Sequence, residues 1–265
     1  FLEGANQPLI VILGATASGK TVLSVELATH VGGEVVNADS RQLYRCLDIG
    51  TAKISRDEMR GIPHHLIDVK DPSDEVTVGW YQAEATKVID DVGGRGRVPF
   101  LVGGSMLYLS SITDNLSLGP TPDPALHQEL MDRYDADGGG RLYRYLQKVD
   151  PDAACTIHQN NKPRIVRAVE ICELLRRPKT EFVTAKGELR PRGVEQKKCS
   201  WDLLILGVEI GGDELKKRIA QRTEAMFDAG WIDEVRSLLS QGFTSEDPGM
   251  KSHGYREIIQ YLEEV

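Results

Sequence analysis

Short apolar runs alternate with amphipathic segments in the first part of the chain. Residues 9–13 form a continuous apolar run that ends at a glycine, which is typical of a parallel strand buried on both faces. Residues 21–31 carry apolar positions at helical spacing and stop at a pair of glycines. Two more strands are predicted at residues 34–38 and 98–102, the second preceded by a helix over about 79–91. This alternation predicts an α/β fold, with a parallel sheet flanked by helices.

The pattern changes at about Thr113, where prolines become frequent and strand character is lost. Three helices are predicted beyond this point, at residues 126–134, 142–149 and 164–175. Residues 201–208 again have the pattern of a strand, and two predicted helices follow, at 213–228 and 232–239. We therefore expect a catalytic core made of residues 1–112 and 199–265, with residues 113–198 forming an inserted helical domain.

The charge of the chain is unevenly distributed. The formal net charge is −8, but residues 162–198 contain 11 Lys and Arg against 5 Asp and Glu. Such a segment is either a solvated helical surface or a footprint for a phosphate backbone. No apolar run reaches the roughly 18 residues of a membrane span, and no export signal begins the sequence. We expect a cytoplasmic monomer with no membrane association.

A phosphate-binding motif follows the first predicted strand. Residues 14–21 (GATASGKT) match the pattern G-x-x-x-x-G-K-[ST] between a strand and a helix, which is the context that supports it. Backbone N–H groups and the helix N-terminus can then surround a diphosphate or triphosphate. The residues expected to bind it are Gly14, Thr16, Ala17, Ser18, Gly19, Lys20 and Thr21. Lys20 supplies a positive charge, and the Thr21 hydroxyl is the expected ligand of Mg²⁺.

The position of the acidic residue distinguishes this chain from common nucleotide hydrolases. The run 98–102 ends in Gly103, Gly104 and Ser105 where ATPases and GTPases place an aspartate that holds Mg²⁺. Asp39 and Ser40 instead follow the second strand, at the carboxyl edge of the sheet. Asp39 is either a helix N-cap or a carboxylate beside the bound phosphate that serves as a base or metal partner.

Several segments together resemble the tRNA dimethylallyltransferase family, also called tRNA isopentenyltransferases. The similarity extends over nearly the whole chain in the order of the family's motifs. The segments that carry it are GATASGKT at 14–21, DSRQLYRCLDIGTAK at 39–53, PHHLID at 63–68, LVGGSMLY at 101–108, IHQNN at 157–161, RIVRAVE at 164–170 and GYR at 254–256.

The resemblance implies a reaction and a set of roles. The family transfers a dimethylallyl group from dimethylallyl diphosphate to the exocyclic amine of the adenine immediately 3′ of the anticodon in tRNA. It implies that Asp39 is the catalytic base, that Thr21 binds Mg²⁺, and that Arg222 and, as a weaker second, Lys53 bind diphosphate. The residues it places near the tRNA anticodon stem-loop are Asp39, Ser40, Arg41, Gln42, Ser105, Pro163, Arg164, Arg167, Lys251, Gly254, Tyr255 and Arg256.

The chain departs from the family pattern at three points. Pro163 stands where the family usually has a glutamine, so the polar contact of that glutamine with tRNA is lost. Ser105 replaces a threonine but keeps the hydroxyl. The sequence ends at Val265, before the basic C-terminal helix that family members usually carry, so this part of the family's tRNA surface is expected either to lie beyond the given sequence or to be absent.

Three other functions fit parts of the sequence. A P-loop small-molecule kinase would use the same phosphate grip, but its lid would be short and rich in arginine, whereas this insertion spans about 85 residues and is mostly helical. An adenylate isopentenyltransferase would prenylate free AMP, ADP or ATP, and the basic insertion favours tRNA instead. An RNA-binding module without catalysis would have lost catalytic residues, yet Lys20, Thr21 and Asp39 are all present.

Overall fold

The computed structural model describes residues 1–116, 118–181 and 199–264. The chain divides into two compact units, one made of Phe1–Thr113 and Cys199–Val265 and the other of Asp114–Lys198. Residues 182–198, which hold the C-terminal half of the predicted basic segment, lie outside the described residues. Among the residues that are described, no helix is long and apolar enough to cross a membrane.

The first unit is built on a five-stranded, all-parallel sheet with the order β3-β2-β4-β1-β5. The strands are β1 (Pro8–Gly14), β2 (Gly33–Asn37), β3 (His64–His65), β4 (Val98–Gly103) and β5 (Asp202–Val208). Residue pairs such as Ile12 with Val102 and Val11 with Ile205 set the register. The expected parallel sheet flanked by helices is therefore confirmed.

Both faces of the sheet are covered because its central strands are apolar on both sides. Alternation along β1 sends Leu9 and Val11 into one core cluster, and Ile10 and Ile12 into another on the opposite face. The helices of this unit are α1 (Lys20–Val31), α2 (Arg56–Met59), α3 (Val78–Gly94), α4 (Met106–Thr113), α9 (Gly212–Asp228), α10 (Trp231–Ser240) and α11 (Tyr255–Glu264). The buried side chains of α3 and α4 pack on the face of the sheet that carries Leu9, whereas Ala28 of α1 packs on the face that carries Ile10.

The second unit is helical and has a core of its own. Its helices are α5 (Pro124–Asp135), α6 (Gly140–Val149), α7 (Pro151–Thr156) and α8 (Lys162–Leu175). Leu130, Leu142, Leu146 and Ile165 are almost completely buried in one cluster. Asp123, Asp150 and Asn161 each accept backbone N–H bonds at the start of a helix that has proline in its first turn, so local capping sets these helix boundaries.

Candidate active site

The phosphate-binding loop joins β1 directly to α1. Ala17 and Gly19 have left-handed backbones, with φ of 61° and 94°, and Gly19 is the N-cap residue of α1. A side chain at Gly14 is excluded because its β-carbon would lie 2.5 Å from the Val208 carbonyl oxygen. The loop therefore follows a tight path that ends at the positive N-terminus of α1, an arrangement suited to an anionic ligand.

A cavity of about 280 Å³ opens beside this loop. Residues 16–21 form one wall, and Asp39, Gln42 and Arg222 lie around the same space. The structure thus brings two cationic side chains, Lys20 and Arg222, and one carboxylate into a single pocket. A further part of its lining is apolar and comes from Val35, Ile54, Ile67 and Val102. The pocket therefore offers an anion site and an apolar wall together.

Asp39 follows the end of β2 and does not cap a helix. Its Oδ1 accepts a hydrogen bond from the Arg41 backbone N–H at 2.8 Å, and the chain continues as turns and not as a helix. The helix-cap interpretation is therefore wrong. The next residue is held to the neighbouring strand end, because the Ser40 N–H donates to Ser105 Oγ at 3.0 Å.

The two cations of the pocket are partly desolvated. Burial lowers the pKa of Lys20, the negative charge of Asp39 opposes that shift, and the charge of Arg222 adds to it. Burial likewise lowers the pKa of Arg222, and Asp39 again acts in the opposite direction. Arg222 Nη2 donates to the Thr51 carbonyl oxygen at 3.4 Å, and Lys20 Nζ donates to the Ala15 carbonyl oxygen at 2.6 Å. Because water is reduced around them, their attraction for a bound anion is strengthened.

Lys53 does not line this pocket, and its predicted role in diphosphate binding needs correction. Its Nζ donates to Asp48 Oδ1 at 2.6 Å, to Asp68 Oδ1 at 2.5 Å and to the Tyr44 carbonyl oxygen at 2.7 Å. The side chain is only 5% exposed, so these three acceptors use its donors. Lys53 instead fixes the loop that contains Thr51.

The predicted tRNA contacts in the first unit differ in their exposure. Arg41, Lys251 and Arg256 are exposed, whereas Gln42 lines the pocket with its amide Nε2 donating to the carbonyl oxygens of Thr51 and Ala52. Gly254 has φ of 85°, and a β-carbon there would lie 2.0 Å from the Trp231 ring. The left-handed backbone and the contact with Trp231 explain why position 254 is a glycine.

The predicted contact of Tyr255 with tRNA also needs correction. Its side chain is fully buried and its hydroxyl donates to Glu234 Oε1 at 2.6 Å. The same Glu234 carboxylate accepts backbone N–H bonds from residues 48–50. The Tyr255 side chain therefore supports the loop that precedes Thr51 and is not available to RNA.

In the second unit, the predicted contacts lie at the start of α8. Pro163 and Arg164 are exposed in its first turn. Arg167 is engaged within the unit, because Nη1 donates to the buried Glu170 at 2.7 Å and Nη2 donates to the Pro120 carbonyl oxygen at 2.6 Å. Only 27% of its side chain is exposed, so the main contacts of Arg167 are internal and stabilise the start of this unit.

Comparison with known proteins identifies the family. The sequence profile described as IPP transferase matches residues 42–265. A tRNA dimethylallyltransferase of Shouchella clausii is 40% identical over 97% of this chain and 80% of its own length, and one of Nocardioides sp. is 42% identical over 96% and 79%. The chain belongs to the tRNA dimethylallyltransferase family.

Solved structures of the tRNA dimethylallyltransferase family share this fold. The tRNA isopentenylpyrophosphate transferase of Bacillus halodurans is 37% identical, covers 98% of this chain and 78% of its own, and has a TM-score of 0.67. A eukaryotic dimethylallyltransferase acting on tRNA is 27% identical, covers 97% of this chain and 63% of its own, and has a TM-score of 0.76.

Some residues of the pocket have no role assigned from the motifs of the tRNA dimethylallyltransferase family. His64 lies within the recognised PHHLID segment and lines the pocket, as do Ile67 of the same segment and Ile54 beyond the DIGTAK run. Burial lowers the pKa of His64, and its Nδ1 bonds the Ile62 carbonyl oxygen at 2.9 Å, which requires the proton on Nδ1. His64 and Ile67 belong to a recognised segment and Ile54 follows one, but only the fold shows that these three residues line the cavity.

The side chains at the phosphate-binding loop suit a hard cation that is bound partly by protein oxygens and partly by phosphate oxygens. Thr21 and Asp39 both line the pocket. Among the described residues, no group of three or more His, Cys, Asp and Glu side chains could hold a metal ion. Mg²⁺ is commonly bound by one or two protein oxygens together with phosphate oxygens and water. The residues present therefore fit Mg²⁺ when a diphosphate accompanies it.

Proposed function

We propose that this chain transfers a dimethylallyl group from dimethylallyl diphosphate to the exocyclic amine of the adenine immediately 3′ of the anticodon in tRNA. The observation that carries the proposal is the shared pocket of the phosphate-binding loop, Arg222 and Asp39, with an apolar wall beside them. Membership of the tRNA dimethylallyltransferase family supports the reaction and the tRNA substrate.

The phosphate-binding loop would hold the diphosphate through its backbone N–H groups and Lys20. During transfer, the bond between the prenyl C1 and the diphosphate oxygen breaks, and negative charge accumulates on the leaving group. Lys20 and Arg222 are fixed in the pocket before this charge develops, so they stabilise it without reorganising water. When bound, Mg²⁺ supplies further positive charge to the diphosphate, with Thr21 as its protein ligand.

Asp39 would take the proton from the amine. A new bond forms between the adenine nitrogen and the prenyl C1, and the nitrogen must lose one proton to become neutral. A carboxylate in hydrogen-bond reach of that amine contributes about 10²–10⁴-fold to such a step. Asp39 is the only carboxylate among the described residues that line the pocket.

The adenine must leave its stack to reach a pocket, so the enzyme must also hold the surrounding strand. Arg41, Lys251 and Arg256 in the first unit and Arg164 in the second are exposed cations that suit phosphate contacts. Binding through phosphates predicts that affinity for an anticodon stem-loop falls steeply with salt, with a log–log slope of about one per contact. An affinity that salt leaves unchanged would contradict this part of the proposal.

The proposed function is tested by following the product mass. The protein is incubated with dimethylallyl diphosphate, Mg²⁺ and an anticodon stem-loop with consecutive adenines, and parallel reactions replace the stem-loop with AMP or ATP. The expected result is a prenylated stem-loop and unchanged AMP and ATP. Prenylated AMP would indicate an adenylate isopentenyltransferase, and phosphoryl transfer from ATP would indicate a kinase.

A further inference from the structure

Asn37 is a buried polar residue that no motif singles out. It is the last residue of β2, lies two positions before Asp39 and is 5% exposed. A buried amide is costly unless its polar atoms are paired. Asn37 Oδ1 accepts the Asp39 N–H at 3.0 Å, and Nδ2 donates to the Asp39 carbonyl oxygen at 3.1 Å. One side chain therefore holds the peptide groups on both sides of the Asp39 α-carbon.

The Asn37 amide is also attached to a second strand end. Its Nδ2 donates to the Leu66 carbonyl oxygen at 2.9 Å, in the turn that follows β3. Leu66 and Asp68 both have left-handed backbones in this turn, with φ of 58° and 57°. Such conformations are held by their surroundings. The Asn37 side chain thus connects the backbone of Asp39 to the edge of the sheet.

The backbone of Asn37 is held from α3 as well. The Tyr81 hydroxyl donates to the Asn37 carbonyl oxygen at 2.9 Å, and Tyr81 is fully buried against Tyr108 with ring centroids 3.9 Å apart. Burial raises the pKa of Tyr81 above its ordinary value, so its hydroxyl keeps its proton and is a donor at neutral pH. The peptide that precedes Ala38 and Asp39 is therefore fixed.

Proton transfer depends on the placement of the base to within a fraction of an ångström, and a shift of about 1 Å can cost about 10²-fold in rate. We propose that Asn37 is a positioning residue, which holds the Asp39 carboxylate at the proton of the adenine amine. This inference rests on the proposed role of Asp39 as the base. Asn37 itself touches no reacting atom in this scheme.

The first test separates the chemical step from binding and folding. Asn37→Ala removes all three side-chain bonds, and Asn37→Ser keeps a hydroxyl that can accept the Asp39 N–H but is too short to reach Leu66. Single-turnover prenylation at saturating substrates is expected to fall roughly 10–100-fold in Asn37→Ala and less in Asn37→Ser. Asn37 lines the pocket, but its three bonds run to the backbone of Asp39 and Leu66. The dissociation constants of dimethylallyl diphosphate and the stem-loop should therefore change by less than about threefold when these bonds are removed.

Val36→Ala is the matched control. Val36 is fully buried on the same strand as Asn37 but points to the other face of the sheet, where it belongs to the core cluster of Leu9 and Val11. This variant loses stability without altering the hydrogen bonds of Asp39, so its saturated rate should stay within about threefold of wild type. If Val36→Ala and Asn37→Ala slow the saturated reaction equally, general loosening of the strand explains the effect and the positioning role is wrong.

A double-mutant cycle then asks whether Asn37 acts through Asp39. In an Asp39→Ala background, where no carboxylate remains to be positioned, Asn37→Ser should slow the residual reaction by less than about twofold. The same fold loss in both backgrounds would overturn the inference. An Asp39→Ala enzyme as fast as wild type would instead overturn the proposed base, so the two failures are distinguishable.

Discussion

Gly103 is the last residue of β4 and lies against the backbone of Ala38, the residue before Asp39. A β-carbon at Gly103 would lie 2.1 Å from the Ala38 carbonyl oxygen and 2.8 Å from its α-carbon. Both atoms belong to the backbone and cannot rotate away. At the adjacent Gly104, a β-carbon would meet only the Gly14 carbonyl oxygen, at 3.7 Å, which is an ordinary contact. Gly103→Ala and Gly104→Ala are therefore a matched pair.

The cost of Gly103→Ala follows from the bonds that must yield. Relieving the overlap requires a displacement of about 1 Å between β4 and the end of β2. The Ala38 N–H bond to the Val102 carbonyl oxygen, at 2.7 Å, and the Ser105 N–H bond to the Ala38 carbonyl oxygen, at 3.2 Å, cross this boundary. Each contributes about 1 kcal/mol, and overpacking adds about 1–3 kcal/mol. We therefore expect a loss of about 3–5 kcal/mol in the free energy of unfolding.

Urea unfolding followed by tryptophan fluorescence measures this loss selectively, because Trp80, Trp201 and Trp231 all lie in the first unit. Gly104→Ala should stay within about 1 kcal/mol of wild type. Single-turnover prenylation by folded Gly103→Ala should fall by up to about 10²-fold, because Asp39 moves with Ala38. A Gly103→Ala protein as stable as Gly104→Ala would refute the steric reasoning.

Three further predictions concern charged groups. Burial lowers the pKa of Lys20 below its ordinary 10.5, so Lys20 loses its charge earlier as the pH rises. Diphosphate affinity measured by calorimetry should therefore begin to fall before the rising pH reaches 10.5, whereas Lys20→Arg, which stays charged, should show no such fall. Arg222→Gln should lower the saturated rate by about 10²–10³-fold and Arg222→Lys by less, and a wild-type rate in Arg222→Gln would exclude leaving-group stabilisation by Arg222. The hydrogen bond from Arg95 holds the pKa of Glu34 at about 2 in the folded protein, against 4.5 ordinarily, so its stabilising contribution is present above about pH 4.5 and is lost as the pH falls towards 2. Glu34→Gln should lower the free energy of unfolding by about 1–2 kcal/mol at neutral pH, a modest value because the Arg95 side chain is 45% exposed. It should also remove the dependence of that free energy on pH between about 4.5 and 2. An unchanged pH dependence in this range would contradict the role given to the Glu34–Arg95 pair.

The sequence predicted the elements whose signal is local. The strands β1, β2, β4 and β5 and the helices α1, α3 and α8 lie within a few residues of their predicted bounds, because apolar spacing, glycines and caps are all encoded in neighbouring residues. The two-residue strand β3 carries no hydrophobic period, since it consists of His64 and His65, and it exists only through pairing with Val35 and Val36. The order of strands likewise depends on distant partners.

The same distinction applies to the candidate site. The loop 14–21 and Asp39 were predicted because their spacing carries the chemistry, and both line the pocket. Lys53 and Tyr255 belong to recognised motifs but are held internally by Asp68 and Glu234, residues that lie 15 and 21 positions away along the chain. No sequence motif marks Asn37, because its bonds to Asp39 and Leu66 form only in the folded sheet. The predicted Mg²⁺, monomeric state and cytoplasmic location stay predictions.

The most direct test of the proposed chemistry compares wild type with Asp39→Asn in single-turnover prenylation of the anticodon stem-loop. Asparagine keeps the size of the side chain and can still accept the Arg41 N–H bond, but it cannot take the proton of the adenine amine. The account predicts a prenylated adenine with wild type and a rate about 10²–10⁴-fold lower with Asp39→Asn, at nearly unchanged affinity for both substrates. An Asp39→Asn enzyme within a few-fold of wild type would contradict it.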